Sequence, residues 1–513
     1  MATTSCVKPS FIRSTLKLAV LIFPLGASAQ SGSSPLTATN PGKPSASAPT
    51  PSAGLLNDWL REQSPEFGPW DLGGQFRARL EVKDYFFTPG AAPSVPGRAQ
   101  VDFLKNGGDA NDTYLLTRTR LHVGYNADWF HVLLEGQDST STGDKRTPNM
   151  EEESFNLRQG YVSFGDPAKF PLLLKAGRQE MAYGDERLIG IVDWNNIGRT
   201  FDAVKLRYQA EAGWVDAFAS YPVVPRNNDF NYSNNYDLFS GIYGSSDKLI
   251  PRQQSQLYFL ARNTSQNSPN YATGTLSFPL PSPRDVYTIG SRIKSLPSQF
   301  GNWDYTVEAD YQFGRFAGVA GTAPTAVQLA SKPHRAYAAH VDGGYTWANA
   351  YGTPRLGLEW NYASGSSNTN RHETFDNLYP STHLFSGIMD FYSWQNIQDA
   401  RINFAMKPLP KLTLGASYRG VWLASTSDSF YLGNTAPRTG GTPGAHNGYA
   451  VNPTYSSFVG MEADVTLGYA VTRYASVGLG YGHFFRGDYI KQSLSAFGST
   501  DADYVYLQAR ISF

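Results

Sequence analysis

Residues 303–313 read WDYTVEADYQF, and their alternation decides the fold. Trp303, Tyr305, Val307, Ala309, Tyr311 and Phe313 alternate with Asp304, Thr306, Glu308, Asp310 and Gln312. Successive side chains of a strand point to opposite faces, so this segment is a ribbon with one aromatic–aliphatic face and one polar, acidic face. The pattern recurs along the chain. Gly74, Phe76, Ala78, Leu80 and Val82 alternate with Gln75, Arg77, Arg79 and Glu81. Leu121, Val123 and Tyr125 alternate with Arg118, Arg120 and His122, and Leu356, Leu358, Trp360 and Tyr362 with Arg355, Gly357, Glu359 and Asn361. Met461 to Tyr469 and Val505 to Phe513 repeat it. Charges recurring on one face without a blade or sandwich period point to a closed barrel with apolar residues outward and polar residues in a lumen.

Composition agrees. The 513 residues include 31 Tyr and 49 Gly but only 6 Met, with 14% aromatics and a formal net charge of zero. Tyrosine presented to lipid and polar groups presented to a lumen give such a mixture, and the charge balance argues against nucleic acid. Residues 1–29 read as a secretion signal: Lys8, Arg13 and Lys17 precede the apolar run 18–25, and Ala27-Ser28-Ala29 offers a cleavage site. Cys6, the only cysteine, would leave with it, which removes disulfides, zinc thiolates and cysteine nucleophiles from the mature chain. No later segment carries the run of about 18 apolar residues that a membrane helix needs. Residues 30–69 read as a linker, Ser/Pro/Ala-rich and disordered by composition, with a short helix at most near Leu55–Trp59. Residues 70–513 form the barrel.

Short connections alternate with long polar ones, which is the layout of periplasmic turns and extracellular loops. Keeping the hairpins in phase requires a strand at 237–245, DLFSGIYGS, although its alternation is poor. The total is then about 18, all-β and antiparallel, wide enough for an aqueous channel.

The stretches GRQEMAYGDERLIG at 177–190 and DWNNIGRTFDAVKLRY at 193–208 resemble the alginate-export family of outer-membrane porins. WDYTVEADYQFG at 303–314 and PRLGLEWNYASG at 354–365 resemble further stretches of it. The resemblance implies an 18-stranded, monomeric barrel in the bacterial outer membrane, and an arginine-lined passage such as the alginate exporter uses for its anionic polymer. That exporter carries a long periplasmic loop between strands 16 and 17. Here the matching turn, 471–473, is short, which weighs against plug-type gating and against polymer export. The strand ending on Phe513 resembles the C-terminal signal read by the outer-membrane assembly machinery.

Strand parity names the candidate pore-lining residues: Arg77, Arg79, Arg118, Arg120, Arg158, Lys205, Arg207, Arg355, Glu308, Asp310 and Glu359. The early strands are mainly basic and the later ones carry much of the acid, which predicts an anion-favouring constriction with unlike walls. The competing account is cross-strand pairing that only solvates the wall. Residues 177–208 read as the third long external loop, between strands five and six. Arg178, Asp185, Arg187, Asp193, Trp194, Asn195, Asn196, Arg199 and Asp202 are its constriction candidates, with Arg–Asp pairs holding it closed; the competing account is an external lid. The expected solute is a saccharide or small anion, with export of an anionic polysaccharide as the alternative and a barrel hydrolase or adhesin behind it. No catalytic triad or nucleophile elbow stands out, so no enzyme is expected. No cofactor is expected; Glu151-Glu152-Glu153 is a candidate for external Ca2+, with a solvated charge run as the weightier reading.

Overall fold

The computed structural model describes residues 54–85, 102–106, 111–145, 151–265, 283–320, 327–438, 440–442 and 444–513. The secretion signal, its cleavage site, Cys6 and the linker as far as residue 53 lie outside them. The part of the linker that is described is ordered, which corrects the expectation for 54–69: it holds helix α1 (Leu55–Gln63) and a 3-10 turn (Pro65–Phe67). Polar docking accounts for the order. Asn57 is buried, donates to Asp71 at 2.7 Å and accepts the Leu72 N–H at 2.6 Å, while Tyr474 donates to Asp58 at 2.7 Å.

Eighteen antiparallel strands close into a barrel. They are β1 (Trp70–Asp84), β2 (Asp112–Asn126), β3 (Phe130–Thr142), β4 (Glu153–Phe164), β5 (Leu172–Gln179), β6 (Phe201–Ala210), β7 (Gly213–Val224), β8 (Asp237–Ser246) and β9 (Gln253–Thr264). They continue with β10 (Arg284–Ser295), β11 (Trp303–Phe316), β12 (Lys332–Thr346), β13 (Arg355–Ala363), β14 (Ile397–Leu409), β15 (Leu412–Leu423), β16 (Phe458–Ala470), β17 (Ala475–Arg486) and β18 (Ala502–Ser512). Each pairs with the next, and β1 pairs with β18 from Gln75 opposite Ser512 to Asp84 opposite Asp503. The strand inferred at 237–245 is β8, in register with both β7 and β9. The short ribbon Tyr232–Ser233 pairs with the end of β7 outside the barrel sheet.

Burial is inverted relative to a water-soluble protein. Leu134, Leu257 and Leu358 are 52%, 59% and 64% exposed, whereas Arg79 and Arg118 are each 1% exposed. The exposed face is the lipid belt. Aromatic pairs mark its edges: Trp70 with Tyr125 at 5.0 Å and Trp303 with Tyr345 at 4.9 Å near the short turns, Tyr287 with Phe313 at 5.5 Å and Tyr337 with Tyr362 at 5.6 Å near the loops. A bulge at Arg158 in the β3–β4 pairing shifts the parity of β4 and keeps that guanidinium inside.

The apolar core lies inside the barrel, where loop residues pack against inward-facing strand residues such as Phe218, Tyr243, Tyr258 and Tyr504. L3 (residues 180–200) supplies Met181, Tyr183, Leu188 and Ile189. L7 (residues 364–396) supplies Phe375, Tyr379, Phe385, Met389, Phe391, Tyr392 and Trp394. L7 was expected to be a polar external connection; its aromatic density drives it into the mouth instead.

Candidate functional site: a loop clamped to the barrel wall

The tip of L3, Asp193 to Asn196, meets the lumen faces of β1 and β2. Arg77 donates to the carbonyls of Asp193 (2.7 Å) and Asn195 (3.1 Å), and Arg118 donates to the same two at 3.0 and 3.3 Å. Arg79 donates to the Trp194 carbonyl at 2.7 Å and lies 3.8 Å from the centre of the Trp194 ring. His383 of L7 stacks on that ring at 3.8 Å and 5°, so the indole is held between a guanidinium and an imidazole. The Asp193 carboxylate pairs with Arg118 and Arg120, each at 3.0 Å. Asn196 is fully buried; its amide donates to the Thr117 and Thr140 carbonyls, each at 3.0 Å, and its backbone N–H donates to Glu151 at 2.7 Å. Arg158 holds Glu180 at 2.7 Å and the Ile197 carbonyl at 3.1 Å.

The other side of L3 is fastened to the far wall and to L7. Asp185 pairs with Arg292 at 2.5 Å, and Arg187 with Glu359 at 2.9 Å, with Arg401 on the same glutamate. Leu188 and Gly190 exchange backbone hydrogen bonds with Tyr379, and Ser381 donates to Glu186 at 2.6 Å. Arg199 bridges the loops by donating to the carbonyls of Gly190 (3.2 Å) and Pro380 (3.0 Å). Within 180–200 the charged groups of L3 thus pair with the wall rather than with one another; of the Arg–Asp pairs expected inside the 177–208 stretch, Arg178 with Asp202 is present, at the base of the loop. Burial alone would raise the Asp193 carboxyl, but Arg118, Arg120 and Arg77 outweigh it and hold it well below the usual carboxylate range. Burial likewise opposes Asp185, yet Arg292 and Lys294 bring it to about 2.

Two constriction candidates lie elsewhere. Arg178 and Asp202 are cross-strand partners on the parity of the exposed Leu174 and Val204, so they face outward at the extracellular rim. Arg178 donates to Asp202 at 2.8 and 3.0 Å and to the carbonyl of Asn231, in the connection that follows β7. The run 151–153 is not a solvated charge stretch either. Glu151 and Glu153 are 9% and 3% exposed, and Glu153 accepts from Asn231 and Gln137. Among the described residues no group of three or more His, Cys, Asp or Glu is placed to hold a metal ion.

The remaining pore-lining candidates face the lumen. Glu308 and Asp310, both 4% exposed, accept from the Tyr258 hydroxyl at 2.7 Å each. Arg207 binds Asp216 at 2.6 and 2.8 Å, beside Lys205 at 3.6 Å. Arg355 joins Asp304 (2.5 Å), Asp342 (3.1 Å) and Asn403 (2.8 Å). The side chains of Lys205, Arg207, Lys294 and Arg355 are 16–27% exposed, so this lower wall is wetter than the arginines under L3. Lys175, on the lumen face of β5 opposite Lys205, belongs to this wall as well; its alternation with Leu174 was the available signal. The L7 partners Ser381 and His383 had only the aromatic richness of residues 375–394 to point to them. Wall histidines are engaged locally: His334 with His372 at 2.9 Å, His340 with Asn361 at 2.8 Å and His122 with Asp71 at 3.1 Å.

A closed barrel with a lipid belt, two aromatic girdles and a charged lumen crossed by an inward loop defines an integral channel protein of the bacterial outer membrane. Residues 97–500 match the alginate export family, and the chain belongs to it. No curated protein sequence matches. Solved outer-membrane proteins share the fold. OccAB1 of Acinetobacter baumannii is similar with a TM-score of 0.52 and 11% identity over 86% of this chain and 97% of that one. OpdO of Pseudomonas aeruginosa gives 0.50 and 13% over 86% and 97%.

Proposed function

We propose that the channel passes saccharides or other small, preferentially anionic solutes passively, through a lumen whose β1–β6 wall is basic. The observation that carries this reading is the set of cations on that wall: Arg77, Arg79, Arg118 and Arg120 around the L3 tip, and Lys205 and Arg207 in the wetter region. L3 and L7 narrow the mouth, and the selectivity of the passage is set where their edge meets the arginines, because charges in a narrow low-dielectric passage concentrate counter-charged solute. The family supports a second reading, export of an anionic polysaccharide. Packing of aromatic L3 and L7 side chains across the mouth favours small solutes over a polymer. The protein acts as a monomer without a resident cofactor, and the assembly machinery receives it through β18 and Phe513.

Planar-bilayer recording of the full-length protein tests the proposal. Unitary conductance with a reversal potential favouring chloride is expected, and the preference falls in the Arg118→Glu/Arg120→Glu double variant. A folded, inserted protein without any conductance would sink it.

A further inference from the structure

Below L3, on the β5–β6 wall, the register sets two lysines directly opposite each other. Lys175 is the cross-strand partner of Lys205, and Arg207 follows Lys205 on the same face. Like charges placed opposite on adjacent strands are unfavourable, more so where the dielectric is low. One carboxylate from the neighbouring strand faces the three cations: Asp216, held by Arg207 at 2.6 Å and roofed by the Tyr183 hydroxyl at 2.7 Å, stands 3.6 Å from Lys205. Among the described residues no carboxylate forms an ion pair with Lys175. Its ammonium rests instead 3.5 Å from the centre of the Tyr161 ring. The acid at the start of L3, Glu180, is committed to Arg158 at 2.7 Å.

A surplus of positive charge on a lumen wall gains nothing for the barrel itself. An anion seated between the two ammonium groups would offset their repulsion. We propose that Lys175 and Lys205, with Arg207 behind them, form a carboxylate-binding site for the solute, beneath the L3 clamp and separate from it. The site deepens the channel reading and rests on it. Tyr161 and Trp214 already carry Lys175 and Arg207 over their rings, at 3.5 and 4.2 Å, so neither face is free to stack on a sugar. The site therefore selects charge rather than ring structure: a uronate is held and the neutral hexose is not.

The experiment is single-channel recording of the full-length protein in KCl, with sodium glucuronate as probe and glucose as its uncharged counterpart. Glucuronate reduces the chloride current in a concentration-dependent way and glucose does not. Lys175→Met keeps the side-chain length and removes the charge; it raises the half-blocking concentration about tenfold, and Lys205→Met does the same, while both variants still run as folded barrels on unheated gels. A Lys175→Met/Lys205→Met channel that conducts and is blocked at the wild-type concentration overturns the site but leaves the channel reading intact. Equal block by glucose overturns the charge selection, and absence of all current in the wild type overturns both readings.

Discussion

Asp193 and Arg178 carry opposite lessons about charged side chains in one stretch of sequence. Asp193 meets two guanidinium groups in the lumen while keeping 39% of its side chain exposed. Removing one partner of a buried pair costs about 3–5 kcal/mol; with this exposure the figure falls to about 1–2 kcal/mol. Asp193→Asn is therefore expected to loosen L3 by that amount and to raise anion preference, because Arg118 and Arg120 lose their internal counter-charge. The shift in reversal potential checks it. The pH dependence has a definite sign. The folded-state values of Asp193 and Asp185 lie below those of a free carboxyl, so their contribution is fully present above about pH 4 and is lost only as pH falls through the lower folded values, near 2 for Asp185. Titration from pH 7 to 4 should leave the Asp193 and Asp185 ion pairs in place, and loss of either pair in that window would contradict the assignment. Arg178→Ala, by contrast, changes a pair on the outer face. It should leave conductance and selectivity at wild-type levels, and a selectivity change would show that the parity is wrong.

Among the elements, the strands were readable from local sequence and the loops were not. Period two is visible within six residues, which is why Trp303–Phe313 was secure. Even the weak β8 followed once the hairpins on either side had to stay in phase. The same parity, carried through Leu174 and Val204, would have turned Arg178 and Asp202 outward; their place in a charge-rich stretch hid it. The partners of L3, by contrast, are Arg77 and Arg118 on one side and Tyr379 and His383 on the other, distant in sequence and brought together only by closure of the ring. Local reading supplied the residue types of the clamp and could not supply their pairing. L7 is held chiefly by packing, with Trp394 1% exposed against Phe375 at 5.5 Å. Trp394→Ala should cost about 3–5 kcal/mol of loop ordering. It should speed proteolysis within L7 and enlarge the unitary conductance, while the barrel stays intact on unheated gels.

At the scale of the whole molecule, the barrel was legible because inside and outside obey opposite chemistry on every strand, whereas its contents were not. A barrel of this strand number is wide enough for an open aqueous channel, and here loop side chains occupy its mouth. The seam between β1 and β18 is equally tight. A Cβ on Gly74 would lie 2.8 Å from the Phe513 ring on the seam side and would also press on the Arg120 carbonyl of β2. Gly74→Leu is expected to abolish the compact, heat-modifiable form seen on unheated gels, whereas a variant migrating like wild type would refute the closeness of the seam.

That seam also dictates a timetable. One edge of β1 pairs with β2, but its other edge, residues 75–84, finds its partner only in residues 503–512, so that edge stays unpaired until the far end of the chain arrives. Closing so long a loop makes the final pairing the slow, entropically costly event. Until the two edges meet, the chain carries an unpaired strand edge on which another chain could add, so closure of the ring is also what removes the molecule's own site of association.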